Sequence, residues 1–221
     1  MRTRAKLVAL ALVLLLVAAV PAIAATTPTG KSAEEIRDFY SSGDWNRAVK
    51  KQATKAKAYL VKRTHGKHAA KKPALVLDID ETSLDNYPCL NTTGGIPYDP
   101  GLYAACVTRY DAPAIKPVRS LFKLAQRRQV RVFFITGRPE GLREGTLDNL
   151  AAAGFKGEYE LVLQPQDYTQ DSKIPYKSGA RKQIQKRGYK IIANVGDQQS
   201  DLKGGYSERT YKLPNPIYLT S

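Results

Sequence analysis

Four short clusters of side chains in this 221-residue chain have the types and spacing for phosphoryl chemistry. The first is Asp78-Ile79-Asp80-Glu81-Thr82, directly after the apolar run Ala74-Leu75-Val76-Leu77. Two carboxylates one residue apart at a strand end can face one cleft. One can attack phosphorus while the other donates and accepts a proton; a pair of capping or loop aspartates gives the same local pattern. The second is Thr136-Gly137-Arg138, where a hydroxyl and nearby backbone N–H groups can hold a phosphoryl oxygen, or simply make a turn. The third is Lys177, at the expected start of a helix, whose ammonium can neutralise the nucleophile and the transferring group. Lys173 and Lys182 compete for that role. The fourth is Gly196-Asp197-Gln198-Gln199-Ser200-Asp201. Its two carboxylates, four residues apart across a strand-to-helix turn, can approach one hard cation; Mg2+ takes oxygen ligands and keeps several waters. A helix cap with one solvated aspartate is the plainer account. Each cluster alone is weak, but in order they supply four distinct parts of one reaction.

These clusters need a scaffold that brings strand ends together. From Pro73 onward, short apolar runs alternate with amphipathic segments: strands end at Leu77, Ile135, Leu163 and Val195, and a fifth short strand is expected within Tyr211–Leu219. Helices are expected over Pro117–Gln129, Glu140–Ala153 and Lys177–Arg187. This alternation indicates parallel βαβ units, in which ligands bind outside the carboxyl ends of the strands. Residues 83–116, rich in Gly, Pro, Tyr and Asn with little periodicity, read as an insertion of loops and short helices. Upstream, residues 25–31 read as a disordered leader. Ser32 with Glu35 forms a capping box for a helix to about Tyr40, and Asp44 can cap a second helix to about Thr64. In that second helix Trp45, Ala48, Val49, Ala53, Ala56 and Leu60 form an apolar stripe, with Lys50, Lys51, Lys55, Lys57 and Lys62 on the other faces.

With the pattern Asp78-x-Asp80-x-Thr82, Thr136-Gly137-Arg138, Lys177 and Gly196-Asp197-x-x-x-Asp201, the chain resembles the haloacid dehalogenase (HAD) superfamily of phosphohydrolases. Tyr176-Lys177-Ser178, Gly196-Asp197-Gln198 and the Lys212–Pro216 stretch narrow the resemblance to its subfamily IIIB acid phosphatases, a branch that includes plant vegetative storage proteins. The resemblance covers residues 73–221 and extends to the Asp44–Leu60 helix. It implies a Rossmann-like, three-layer α/β/α fold with a mainly parallel sheet and the N-terminal helices packed on the core. It also implies that Asp78 attacks phosphorus to form an aspartyl-phosphate. Asp80 would protonate the leaving alcohol and then activate water; Thr136, Gly137 and Lys177 would hold the phosphoryl group. Mg2+ would be bound by Asp78, Asp197 and the backbone carbonyl of Asp80, with Asp201 in support. Some storage proteins of the branch lack the nucleophilic aspartate; this chain keeps Asp78 and Asp80.

The chain opens with Arg2, Arg4 and Lys6, an unbroken apolar run from Leu7 to Val20, and Pro21 before Ala22-Ile23-Ala24. That order is a signal peptide over residues 1–24, since the run is shorter than the ~20 residues of a spanning helix. The expected mature protein is exported, extracellular or periplasmic, without a membrane span. In an oxidising compartment the two cysteines, Cys89 and Cys106, pair by default, with two reduced thiols the alternative. Loss of the leader lowers the formal charge from +15 to +12, favouring anionic partners without choosing among them. A small phosphomonoester substrate is expected and no specific nucleic-acid partner. Two other readings compete: an exported polyanion-binding or storage-like protein using the basic helix, and a phosphotransferase using the same intermediate.

Overall fold

The computed structural model describes residues 26–220; the expected signal peptide lies outside them. The elements in chain order are β1 (Thr26–Pro28), α1 (Ala33–Ser41), α2 (Asp44–Arg63), β2 (Pro73–Leu77), α3 (Tyr87–Thr93), α4 (Pro100–Thr108), α5 (Lys116–Arg127), β3 (Arg131–Pro139), α6 (Arg143–Ala152), β4 (Tyr159–Gln164), α7 (Ile174–Lys186), β5 (Lys190–Gly196), α8 (Gln199–Leu202), β6 (Thr210–Lys212) and β7 (Tyr218–Thr220). Five strands form a parallel sheet in the order β4-β3-β2-β5-β6. The chain is α/β, as its pattern indicates. No helix among the described residues is long and apolar enough to cross a membrane.

Period-two alternation in the central strands divides the core into two layers. Leu75, Leu77, Val132 and Phe134 face α2 and α5, meeting Val49, Ala56, Leu60, Leu121 and Phe122. Ala74, Val76, Phe133 and Ile135 face the other way, against Ile184 of α7. With β2 buried on both faces, its sequence is a continuous apolar run that stops where the cleft begins.

Several boundaries differ from the sequence reading. Ser32 and Glu35 do make the capping box, through Glu35 N to Ser32 Oγ at 3.1 Å and Ser32 N to Glu35 Oε2 at 2.7 Å. Gly43, not Asp44, caps α2; Asp44 is the first helical residue and pairs with Arg47 at 2.5 Å. The leader expected to be disordered instead contributes β1, antiparallel to β7, because the C-terminal segment offers it an edge to pair with. The strand expected over Tyr211–Leu219 is split between β6 and β7, since Pro214 and Pro216 lack the N–H a ladder requires. The insertion contains α3 and α4, joined by a Cys89–Cys106 disulfide with Cα atoms 5.8 Å apart.

Candidate active site

The parallel sheet gathers the four clusters at the carboxyl ends of β2, β3 and β5. Asp78 follows the last residue of β2, and its backbone N donates to Val195 O of β5 at 3.0 Å. Its side chain is buried and accepts from Lys177 Nζ at 2.8 Å. Lys177 also donates to Asp201. Carboxylate oxygens of Asp78, Asp197 and Asp201 lie within 4.8 Å of one another. Gly196 allows this approach, because a Cβ there would lie 2.3 Å from that of Asp201.

Surrounding side chains fix each carboxylate. Asp197 accepts from Thr82 Oγ1 at 2.9 Å, Gln198 Nε2 at 2.6 Å and Asn215 Nδ2 at 2.8 Å. Asp201 accepts from Gln198 N at 2.7 Å, and its carbonyl accepts from Asn194 Nδ2 at 2.8 Å and Arg181 Nη1 at 2.6 Å. Asp80 points elsewhere, to a buried Arg138. Nη2 of Arg138 lies 2.7 Å from Asp80 Oδ1 and Nε lies 3.0 Å from Oδ2. Asn86 Nδ2 donates to Asp80 Oδ1 at 3.0 Å and to Glu81 Oε1 at 2.8 Å. Glu81 is fully buried with φ at 54°, a left-handed conformation unusual for a side-chain-bearing residue. Its bonds to Asn86 and Tyr218 hold it there.

The electrostatics separate these carboxyls. Burial, then the charge of Asp201, pushes Asp78 well above the ordinary aspartate value against the opposing pull of Lys177. Burial and Asp201 likewise raise Asp197. Burial also acts to raise Asp80, but Arg138 and Asn86 together outweigh it and hold that carboxyl low. Burial would lower Lys177; Asp201 and Asp78 overcome this and raise it. The cluster thus carries more negative charge than one lysine offsets, and every donor is a carboxylate oxygen. Such a site fits a hard divalent cation bound by Asp78, Asp197 and Asp201.

The cleft above these groups has a volume of about 220 Å³. One wall is apolar and aromatic, with Tyr103, Ala104 and Val107 from α4 and Tyr218 from β7; the other has Gly137, Arg138, Gln166, Tyr168 and Lys173. The disulfide-linked helices therefore supply part of the cleft. Thr136 is fully buried beneath it, its Oγ1 accepting from Arg138 N at 3.1 Å, whereas Gly137 and Arg138 reach the cleft. Among the three lysines, Lys182 is exposed on α7, Lys173 is the residue preceding the helix, and Lys177 lies in its first turn. Lys177 is thus the lysine on Asp78, although not at the helix start where the sequence placed it. Asn86 carries no sequence signal for its bond to Asp80, and Arg138 had only its adjacency to Gly137.

The sequence profile of the HAD superfamily, subfamily IIIB (acid phosphatase), matches residues 5–221. The chain belongs to that subfamily. It is similar to tomato (Solanum lycopersicum) acid phosphatase 1, with 36% identity over 146 residues, covering 65% of this chain and 57% of that protein. Vegetative storage protein 2 of Arabidopsis thaliana is 32% identical over 146 residues, covering 65% and 55% respectively. The chain spans less than two thirds of the length of these relatives. The class C acid phosphatase structure from Bacillus anthracis superimposes with a TM-score of 0.68 at 21% identity, covering 85% of this chain and 86% of that one, which shows a common fold.

Proposed function

We propose that this protein is an exported, Mg2+-dependent acid phosphatase that hydrolyses small phosphomonoesters through an aspartyl-phosphate on Asp78. The observation that carries the reading is the buried meeting of Asp78, Asp197 and Asp201 around Lys177, with Asp80 alongside. Asp78 is held by Lys177 with its carboxylate at the cleft floor and forms the new O–P bond as the ester oxygen leaves. Asp80, held low by Arg138 and Asn86 in the free protein, is assigned the proton transfers: it takes up a proton as the anionic ester enters, gives it to that oxygen, then takes one from the water that cleaves the acyl phosphate. Arg138 and Asn86 orient Asp80 for both transfers. Lys177 and the Thr136-Gly137 turn are assigned to the phosphoryl oxygens, and burial of the floor strengthens their electrostatic grip. Asp78, Asp197 and Asp201, with the Asp80 carbonyl, would hold Mg2+, which would supply charge neutralisation for an anionic nucleophile meeting an anionic phosphate. The apolar α4 wall accommodates the organic part of the ester. Residues 1–24 are assigned to export, in keeping with the disulfide.

The test is phosphate release from an aryl phosphate with magnesium and with chelator, beside Asp78→Asn. Metal-dependent release lost in the mutant supports the reading. A folded, metal-loaded protein inert on a panel of esters refutes it.

One observation favours a second, non-enzymatic property. α2 and α5 lie side by side, with Lys57 Nζ on Ser120 Oγ at 2.8 Å, and neither carries an acidic residue after Asp44. Lys50, Lys51, Lys55, Lys62, Lys116, Lys123 and Arg127 are all exposed there, a face suited to polyanions. Retention on an anionic column should fall when Lys50, Lys51, Lys55 and Lys57 are neutralised; unchanged retention refutes this.

A further inference from the structure

Two lysines enter the cleft, and among the described residues only the Lys177 ammonium has partners. Lys177 is neutralised by Asp78 and Asp201. Lys173, four residues earlier, has its half-buried ammonium beside Gly137, so close that a Cβ on that glycine would lie 2.6 Å from Nζ. Lys173 makes no ion pair or side-chain hydrogen bond with any described residue. Burial and the charge of Lys177 lower its proton affinity, while Asp78, Asp80 and Asp201 pull the other way without reaching it. With no carboxylate or carbonyl of the described residues against it, this ammonium is open to an anion that enters the cleft and meets Lys177 as well.

We infer that Lys173 is a second phosphoryl-binding cation that makes the cleft select a dianionic terminal phosphoryl group over a monoanionic diester. The inference rests on the reading of this cleft as a phosphate site. A dianionic group spreads its charge over three oxygens and can accept from both ammoniums. A diester carries one charge, and would leave one of the two cations unmatched. Gly137 has a structural part in this: a Cβ there would push the Lys173 ammonium from its present place.

Calorimetric binding of two anions to the purified protein tests the idea without turnover. The anions are inorganic phosphate, at a pH where it is the dianion, and dimethyl phosphate. Lys173→Gln should weaken phosphate by on the order of tenfold to a hundredfold, the contribution of one charge-assisted hydrogen bond, and leave dimethyl phosphate within about twofold. Lys173→Arg should restore most of the affinity, Gly137→Ala should mimic the loss by displacing the ammonium, and Lys182→Gln should change nothing. Wild-type phosphate affinity in folded Lys173→Gln overturns the inference, as does an equal loss for both anions. Wild-type protein that binds neither anion and releases no phosphate from esters instead overturns the phosphate-site reading beneath it.

Discussion

Replacing Arg138 with methionine should make the protein's stability depend on pH in a way that reports on Asp80. The side chains of Arg138 and Asp80 are 2% and 13% exposed, and their contact is bidentate. Methionine keeps most of the volume, so the main loss is electrostatic. Removing one partner of a buried pair costs about 3–5 kcal/mol, and loss of the Arg138 Nη1 bond to Thr146 Oγ1 adds about 1 kcal/mol. In the native protein Asp80 lies below its unfolded value of about 3.9. It therefore contributes stability that is present above that value and lost as pH falls through the folded pKa. In Arg138→Met the burial that opposes ionisation is no longer outweighed, so the folded pKa rises above the unfolded one. The carboxylate then costs stability increasingly as pH climbs above about 4. The difference between the two proteins should be largest near neutrality and shrink as pH falls below about 4, where the unfolded chain and the variant's raised carboxyl take up their protons. Urea unfolding at about pH 7 and about pH 3.5 measures it. An equal deficit at both pH values would refute the assignment, because packing loss alone does not titrate.

Asp78→Asn should lower phosphatase activity by on the order of 10³-fold or more without lowering the thermal midpoint near neutrality, since burial and Asp201 already oppose that charge; a large drop in midpoint would show Asp78 to be a stabilising anion. Magnesium should raise the thermal midpoint of wild-type protein, by about 2.7 kcal/mol of stability at a hundredfold excess over Kd, and have little effect on Asp197→Asn. Equal protection of both would remove Asp197 from the ligand set. Cys89→Ser with Cys106→Ser, opening a link between residues 17 apart in sequence, should cost about 3 kcal/mol in urea unfolding. It should also raise KM for aryl phosphates, because α4 forms one cleft wall; unchanged KM would separate the disulfide from substrate binding.

The sequence by itself determined the α/β class and the strands that end at the cleft, because β2, β3 and β5 are apolar runs that stop abruptly at polar residues. It also determined the candidate chemistry of Asp78, Asp197 and Asp201, whose places after β2 and β5 a parallel sheet converts into one cluster, with Asp80 at the same cleft. Capping at Ser32 was legible because both partners lie within one turn. What only the tertiary structure decided depends on contacts between distant parts of the chain. The choice among three lysines turned on which side chain meets a carboxylate 99 residues away, a distance that helix position does not encode. The Arg138–Asp80 pair spans 58 residues, and Tyr218 reaches back to Glu81 across 137. β1 exists because β7 offers it a partner, so its local sequence of Thr and Pro gave no sign of a strand. Periodicity and short-range capping report on neighbours along the chain. The protonation of Asp80, the pairing of Lys177 and the open ammonium of Lys173 were fixed by burial and charge brought together in folding.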